Sequence, residues 1–137
     1  MKMLRSIGLT TIAALAFIGG KAMAAPPTVE ILAMKHPPVR AALLPLREWL
    51  AMQGAKLKVI ETDIESPPGQ KRLSAIGLAG HIPIVILIDG QFRHLRKDGS
   101  VAAFINFPAI KDAPPGVRGD WSIADVQLAA SDLMKRP

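Results

Sequence analysis

Ile84, Val85, Ile86, Leu87 and Ile88 are five successive apolar residues, four of them β-branched. A run of this kind is a strand buried on both faces, so it must lie inside a covered sheet. Asp89 and Gly90 close it in a turn. Gly77 and Gly80 end a helix before it, His81 stands in the tight loop that follows, and Ile82-Pro83 form the entry to the strand.

The start of the chain reads as a leader. Lys2 and Arg5 form a positive region, residues 7–20 are apolar, and Ala22-Met23-Ala24 is a small-residue cleavage site. This is the pattern of a secretory signal peptide, 1–24, and its apolar run is short for a membrane span. The expected mature chain, 25–137, suits one compact domain with one core. Three of the 17 basic residues fall in the leader, which leaves 14 against 11 acidic residues, a net charge of +3. With no basic run or aromatic platform, no nucleic-acid partner is expected. No second long apolar run follows, so no membrane association is expected after cleavage, and the expected compartment is the periplasm.

An exported chain can form disulfides, yet this one has no cysteine. Thiol redox catalysis, thiolate metal sites and a cysteine nucleophile are thereby excluded. Stability must come from core packing.

Periodicity supplies the remaining elements. Residues 28–34 read as an internal strand. Val39, Leu43, Leu46 and Leu50 recur at helical spacing over 38–53, widened by Ala42 and Trp49, with Pro45 inside and Gly54 as a stop. Residues 56–64 read as a second strand, broken by Ser66-Pro67-Pro68-Gly69. A short helix over 70–76 follows. After the buried strand, 91–96 alternates as a hairpin partner, 101–107 reads as an added edge strand, and 109–120 as a Pro/Gly-rich loop. Ser122 caps a last helix with Asp125 as its capping-box partner. The order is β-α-β-α-β-β-(β)-α: a right-handed parallel crossover, then antiparallel strands and a helix.

This order resembles the thioredoxin-like family. Leu57-Lys58-Val59-Ile60, Asp63-Ile64, Pro68-Gly69, Gly77, Gly80 and Ile82-Pro83 fall in the family's sequence, with one extra residue at His81; Pro45 resembles the proline that kinks the family's first helix. The resemblance implies an α/β, thioredoxin-like three-layer sandwich with a mixed central β-sheet flanked by helices, and a cis-proline loop at Ile82-Pro83. Residues 101–120 depart from it. The family's Cys-x-x-Cys would fall at His36 and Val39 by aligning on Pro38, or at Pro37 and Arg40 by counting back from Pro45. The resemblance therefore implies the fold and a surface groove but not the activity. Met34 or a neighbour fills the place where the family often buries a charge.

Three site expectations follow. The groove residues His36, Pro37, Pro38, His81, Ile82 and Pro83 would bind a protein or peptide, with Ile82 offering its backbone to an extended segment. No cofactor and no catalysis are expected of such a module. Alternatively, Met34, His36 and His81 would bind copper through thioether and imidazole. Acid/base catalysis would draw on Asp63 and Glu65, placed on one strand face, or on His94 and Asp98. No catalytic-triad order, phosphate loop or His-Glu-x-x-His motif accompanies them.

Overall fold

A computed structural model of the chain describes residues 25–137. The expected leader and its cleavage site lie outside the described residues. The elements are β1 (Thr28–Ala33), α1 (Pro37–Gln53), a 3-10 turn (Gly54–Lys56), β2 (Lys58–Asp63), α2 (Pro67–Ala75), β3 (Ile84–Ile88), β4 (Arg93–Leu95), β5 (Val101–Ala103) and α3 (Ile123–Met134). The chain is mixed α/β.

β1 is the central strand of a mixed sheet ordered β2-β1-β3. It runs parallel to β2, with Ile31 opposite Glu61, and antiparallel to β3, with Ile31 opposite Ile86. Alternation along β1 sends Ile31 to one face and Glu30 to the other. On the Glu30 face, Arg72 of α2 donates two hydrogen bonds to the carboxylate at 2.8 and 2.9 Å. On the other face, Arg47 of α1 donates to Glu61 at 2.7 Å. α1 and α2 therefore cover opposite faces, and α3 packs with α1. All five residues of β3 are buried, and α1 buries Val39, Ala42, Leu43, Leu46 and Leu50.

α2 begins earlier than its sequence suggests. Ser66-Pro67-Pro68-Gly69 is the start of the helix, not a break before it. The Ser66 hydroxyl accepts the Gly69 N–H at 3.2 Å, and the two prolines occupy the first turn, where a missing N–H costs nothing. A side chain at Gly69 would collide with the Asp63 carbonyl, so glycine alone lets α2 approach the end of β2.

The strand after β3 also differs. The turn at Asp89 and Gly90, both at positive φ, leaves a single bridge from Ile88 to Gln91. β4 covers only Arg93–Leu95 and pairs with β5 as a separate two-stranded sheet. The outer edge of β3 is paired with the chain that leaves β5. Ile86 N–H donates to Phe104 O at 3.0 Å, and Asn106 N–H to Ile84 O at 2.8 Å. The presumed loop then folds back on this segment. Phe107 N–H donates to Val117 O at 2.8 Å, and Ala109 N–H to Trp121 O at 2.7 Å. Trp121 is fully buried, meets the Phe104 ring edge-on at 5.7 Å, and donates its Nε1–H to Ile105 O at 3.0 Å.

α3 carries its expected capping box. The Ser122 hydroxyl accepts the Asp125 N–H at 3.1 Å, and the Asp125 carboxylate accepts the Ser122 N–H at 3.0 Å. Arg96 ties this cap to the β4–β5 pair through Asp125 and the Asp120 carbonyl. Among the described residues no helix is long and apolar enough to cross a membrane.

Candidate functional site

The end of β1, the first turn of α1, the loop before β3 and the fold-back segment enclose a pocket of about 180 Å³. Met34 directly follows β1; His36, Pro38 and Val39 come from the start of α1; His81 and Pro83 come from the loop. Phe107, Pro114 and Val117 form the opposite wall. Five of the seven residues named in the groove and copper expectations, Met34, His36, Pro38, His81 and Pro83, are thus brought to one cavity. Pro37 is exposed beside it, and Ile82 is half-buried on the core.

The cis-proline expectation is corrected: no peptide bond among the described residues is cis. Trans is the intrinsically favoured isomer even before proline. Here Gly80, at φ +97°, turns the chain, and the Ile82 N–H closes a three-residue turn on Gly80 O at 3.2 Å. Pro83 is buried, and its carbonyl accepts the Met34 N–H at 2.9 Å. The Ile82 amide is therefore used internally. Its carbonyl accepts no backbone hydrogen bond among the described residues.

The start of α1 has an unusual donor inventory. A helix N-terminus normally presents several unpaired N–H groups. Pro37 and Pro38 remove two of them, Arg40 N–H bonds to His36 O at 3.1 Å, and no side chain caps the helix. The His36 and Val39 N–H groups are what remain, half of the usual set. The pocket is an apolar receptacle. Its volume is below the ~300–1,000 Å³ of pockets that bury drug-sized ligands; it suits one side chain or a small ion.

Polar groups stand at its margin. His36 Nε2 lies 3.0 Å from Glu65 Oε2, both half-exposed. His36 Nδ1 and both ring nitrogens of His81 have no hydrogen-bond partner among the described residues. Met34 is buried in the core. Among the described residues no three His, Cys, Asp or Glu side chains are grouped to hold a metal.

The acid/base pairs are not assembled. Asp63 ends β2, but Glu65 lies in the following turn, so strand alternation does not align them. Asp63 faces Lys35 at 3.9 Å, while Glu65 takes His36. His94 stacks on Phe104 at 5.0 Å and hydrogen-bonds to Gln91 O, whereas Asp98 accepts from Ser100. The carboxyls held below the usual range, Asp98 and Asp125, line no part of the pocket.

Phe107, Pro114 and Val117 are site residues that the sequence did not single out, and Glu65, expected as an acid/base partner of Asp63, stands instead against His36. Only the departure of residues 101–120 from the family pattern hinted that this stretch had its own task. Comparison of the chain with protein-family models and with curated protein sequences yields no match.

Proposed function

We propose that the protein is an exported, non-catalytic binding module of thioredoxin-like architecture that takes an extended peptide at this pocket. The observation that supports the reading is the apolar cavity itself, built where the first helix, the loop before β3 and the fold-back segment meet. One apolar anchor side chain of the peptide fills the cavity against Phe107, Pro83 and Val117. The Ile82 carbonyl accepts a single backbone hydrogen bond from the peptide. Affinity then rests on the buried anchor more than on strand pairing. The chain has no thiol with which to act on such a peptide. Export rests on the leader pattern of residues 1–24, and the order β2-β1-β3 with helices on both faces supports the architectural reading.

The test uses a panel of extended peptides with Leu, Phe or Ala at a central position, followed by amide chemical shifts of the protein. Shifts should cluster at residues 34–39, 80–83 and 105–118, and the Ala peptide should bind at least tenfold more weakly. Val117→Glu, at a half-exposed wall position, should abolish binding while the circular dichroism spectrum is kept. Unchanged binding by Val117→Glu, or shifts centred elsewhere, would refute the reading.

A further inference from the structure

We propose that the same pocket holds one Cu(I) ion on Met34 Sδ, His36 Nδ1 and a ring nitrogen of His81, with Glu65 as the residue that positions His36. Three donor-bearing side chains, two from the β1–α1 connection and one from the loop before β3, line one cavity of about 180 Å³. Their donor atoms are not consumed by the fold. His36 uses only Nε2, against Glu65 at 3.0 Å, and His81 makes no hydrogen bond among the described residues.

The contact with Glu65 decides which nitrogen is available. A carboxylate next to Nε2 draws the ring proton to that side, which leaves a lone pair on Nδ1. Ligating histidines are commonly held in this way, with the nitrogen that does not bind metal donating to a carboxylate. At the start of α1, His36 is thus offered as an oriented ligand.

The donor set selects the metal. Calcium and magnesium require several oxygen ligands, and Glu65 is engaged with His36. Zinc sites are built from four ligands or three with a water, usually including thiolate, imidazole or carboxylate. Here no third imidazole or carboxylate joins the two histidines among the described residues. The third donor is a thioether, a soft ligand that favours Cu(I). The walls formed by Pro38, Val39, Pro83 and Phe107 also disfavour a divalent charge, whose desolvation costs more than that of a monovalent ion.

Cu(I) itself is the probe, titrated anaerobically into the purified protein against a chromophoric Cu(I) chelator. The expected result is one Cu(I) per chain, and X-ray absorption should show one sulfur and two nitrogen scatterers. Met34→Leu, His36→Ala and His81→Ala should each weaken binding at least tenfold. Glu65→Ala should weaken it about tenfold, with Glu65→Gln recovering part of the loss because the amide oxygen still accepts from Nε2–H. His94→Ala, remote from the pocket, should bind as the parent does. Retention of parental affinity by the three ligand variants would overturn the proposal, as would tighter binding of Zn(II) than of Cu(I) or no binding at all. Circular dichroism of Met34→Leu separates ligand loss from loss of fold. Cu(I) and a peptide anchor are alternative occupants of one cavity; no peptide enters the experiment, so its failure leaves the peptide reading standing.

Discussion

Asp125 shows how one side chain can serve two structures. Its carboxylate closes the capping box of α3 and accepts two hydrogen bonds from Arg96, at 3.1 and 3.2 Å. Partial burial pushes its pKa up; the Arg96 guanidinium and the Ser122 groups more than offset this and hold it below the usual carboxylate range. A depressed folded pKa means stability that is present above the unfolded value, about 3.9, and lost as pH falls through the folded one. Asp125→Asn keeps the shape and an acceptor but removes the charge. It should cost about 1–2 kcal/mol at pH 7, and the gap to the parent should narrow below about pH 4. Urea unfolding at both pH values reads the difference. An equal gap at pH 7 and pH 3 would show that the charge is not its source. The cap was legible in the sequence because Ser122 and Asp125 stand at fixed spacing. Arg96 was not, because its partner lies 29 residues away.

Among the elements, β3 was the plainest in the sequence, since five successive apolar residues leave one reading. What pairs with its outer edge was not plain. Gln91 to Arg96 alternates as a hairpin strand should, but the turn at Asp89 and Gly90 directs the chain away. The edge is taken by Phe104 to Asn106, whose order is secured from behind by Trp121. Trp121 went unread because it follows a Pro/Gly-rich stretch, where composition suggests loop. The close approach is written instead in Gly119: a Cβ there would lie 2.5 Å from Ile105 O. The same ambiguity of proline hid the start of α2, since Pro67 and Pro68 fit a break or a first turn equally. Trp121→Phe keeps the aromatic packing on Phe104 but leaves Ile105 O without its indole donor. It should cost about 1–3 kcal/mol, the range for a buried polar group left unpaired. It should also remove the buried component of the emission, leaving Trp49, which is half-buried. A loss of under about 0.5 kcal/mol in urea unfolding would show that the fold-back segment holds without this bond.

At the scale of the whole molecule, the proposed thioredoxin-like architecture makes a claim about the start of α1: it should have the geometry of a Cys-x-x-Cys site. Residue identities alone left two registers open, His36 with Val39 or Pro37 with Arg40. In the structure His36 is the N-cap, half-exposed at the pocket margin, and Val39 is buried beneath it at 2% exposure. An exposed position followed three residues later by a buried one suits a nucleophile and a resolving thiol; Pro37 and Arg40 are both exposed. His36→Cys/Val39→Cys should therefore close an intramolecular disulfide under mild oxidation, since side chains three apart on one helix face are neighbours. Thiol counting before and after reduction measures this. The new thiol at 36 should be a modest nucleophile. Helix N-termini lower a cysteine's pKa through their free N–H groups, and Pro37 and Pro38 supply none. Its alkylation rate should therefore rise with a midpoint nearer the free-thiol value of about 8.5 than the ~3.5–7.5 of activated cysteines. Replacing Pro37 and Pro38 with Gly and Ala in that double variant should move the midpoint down by restoring two donors. A midpoint that stays put would mean that the prolines do not set the electrostatics of this helix end, and a double variant that never closes its disulfide would count against the thioredoxin-like placement of α1.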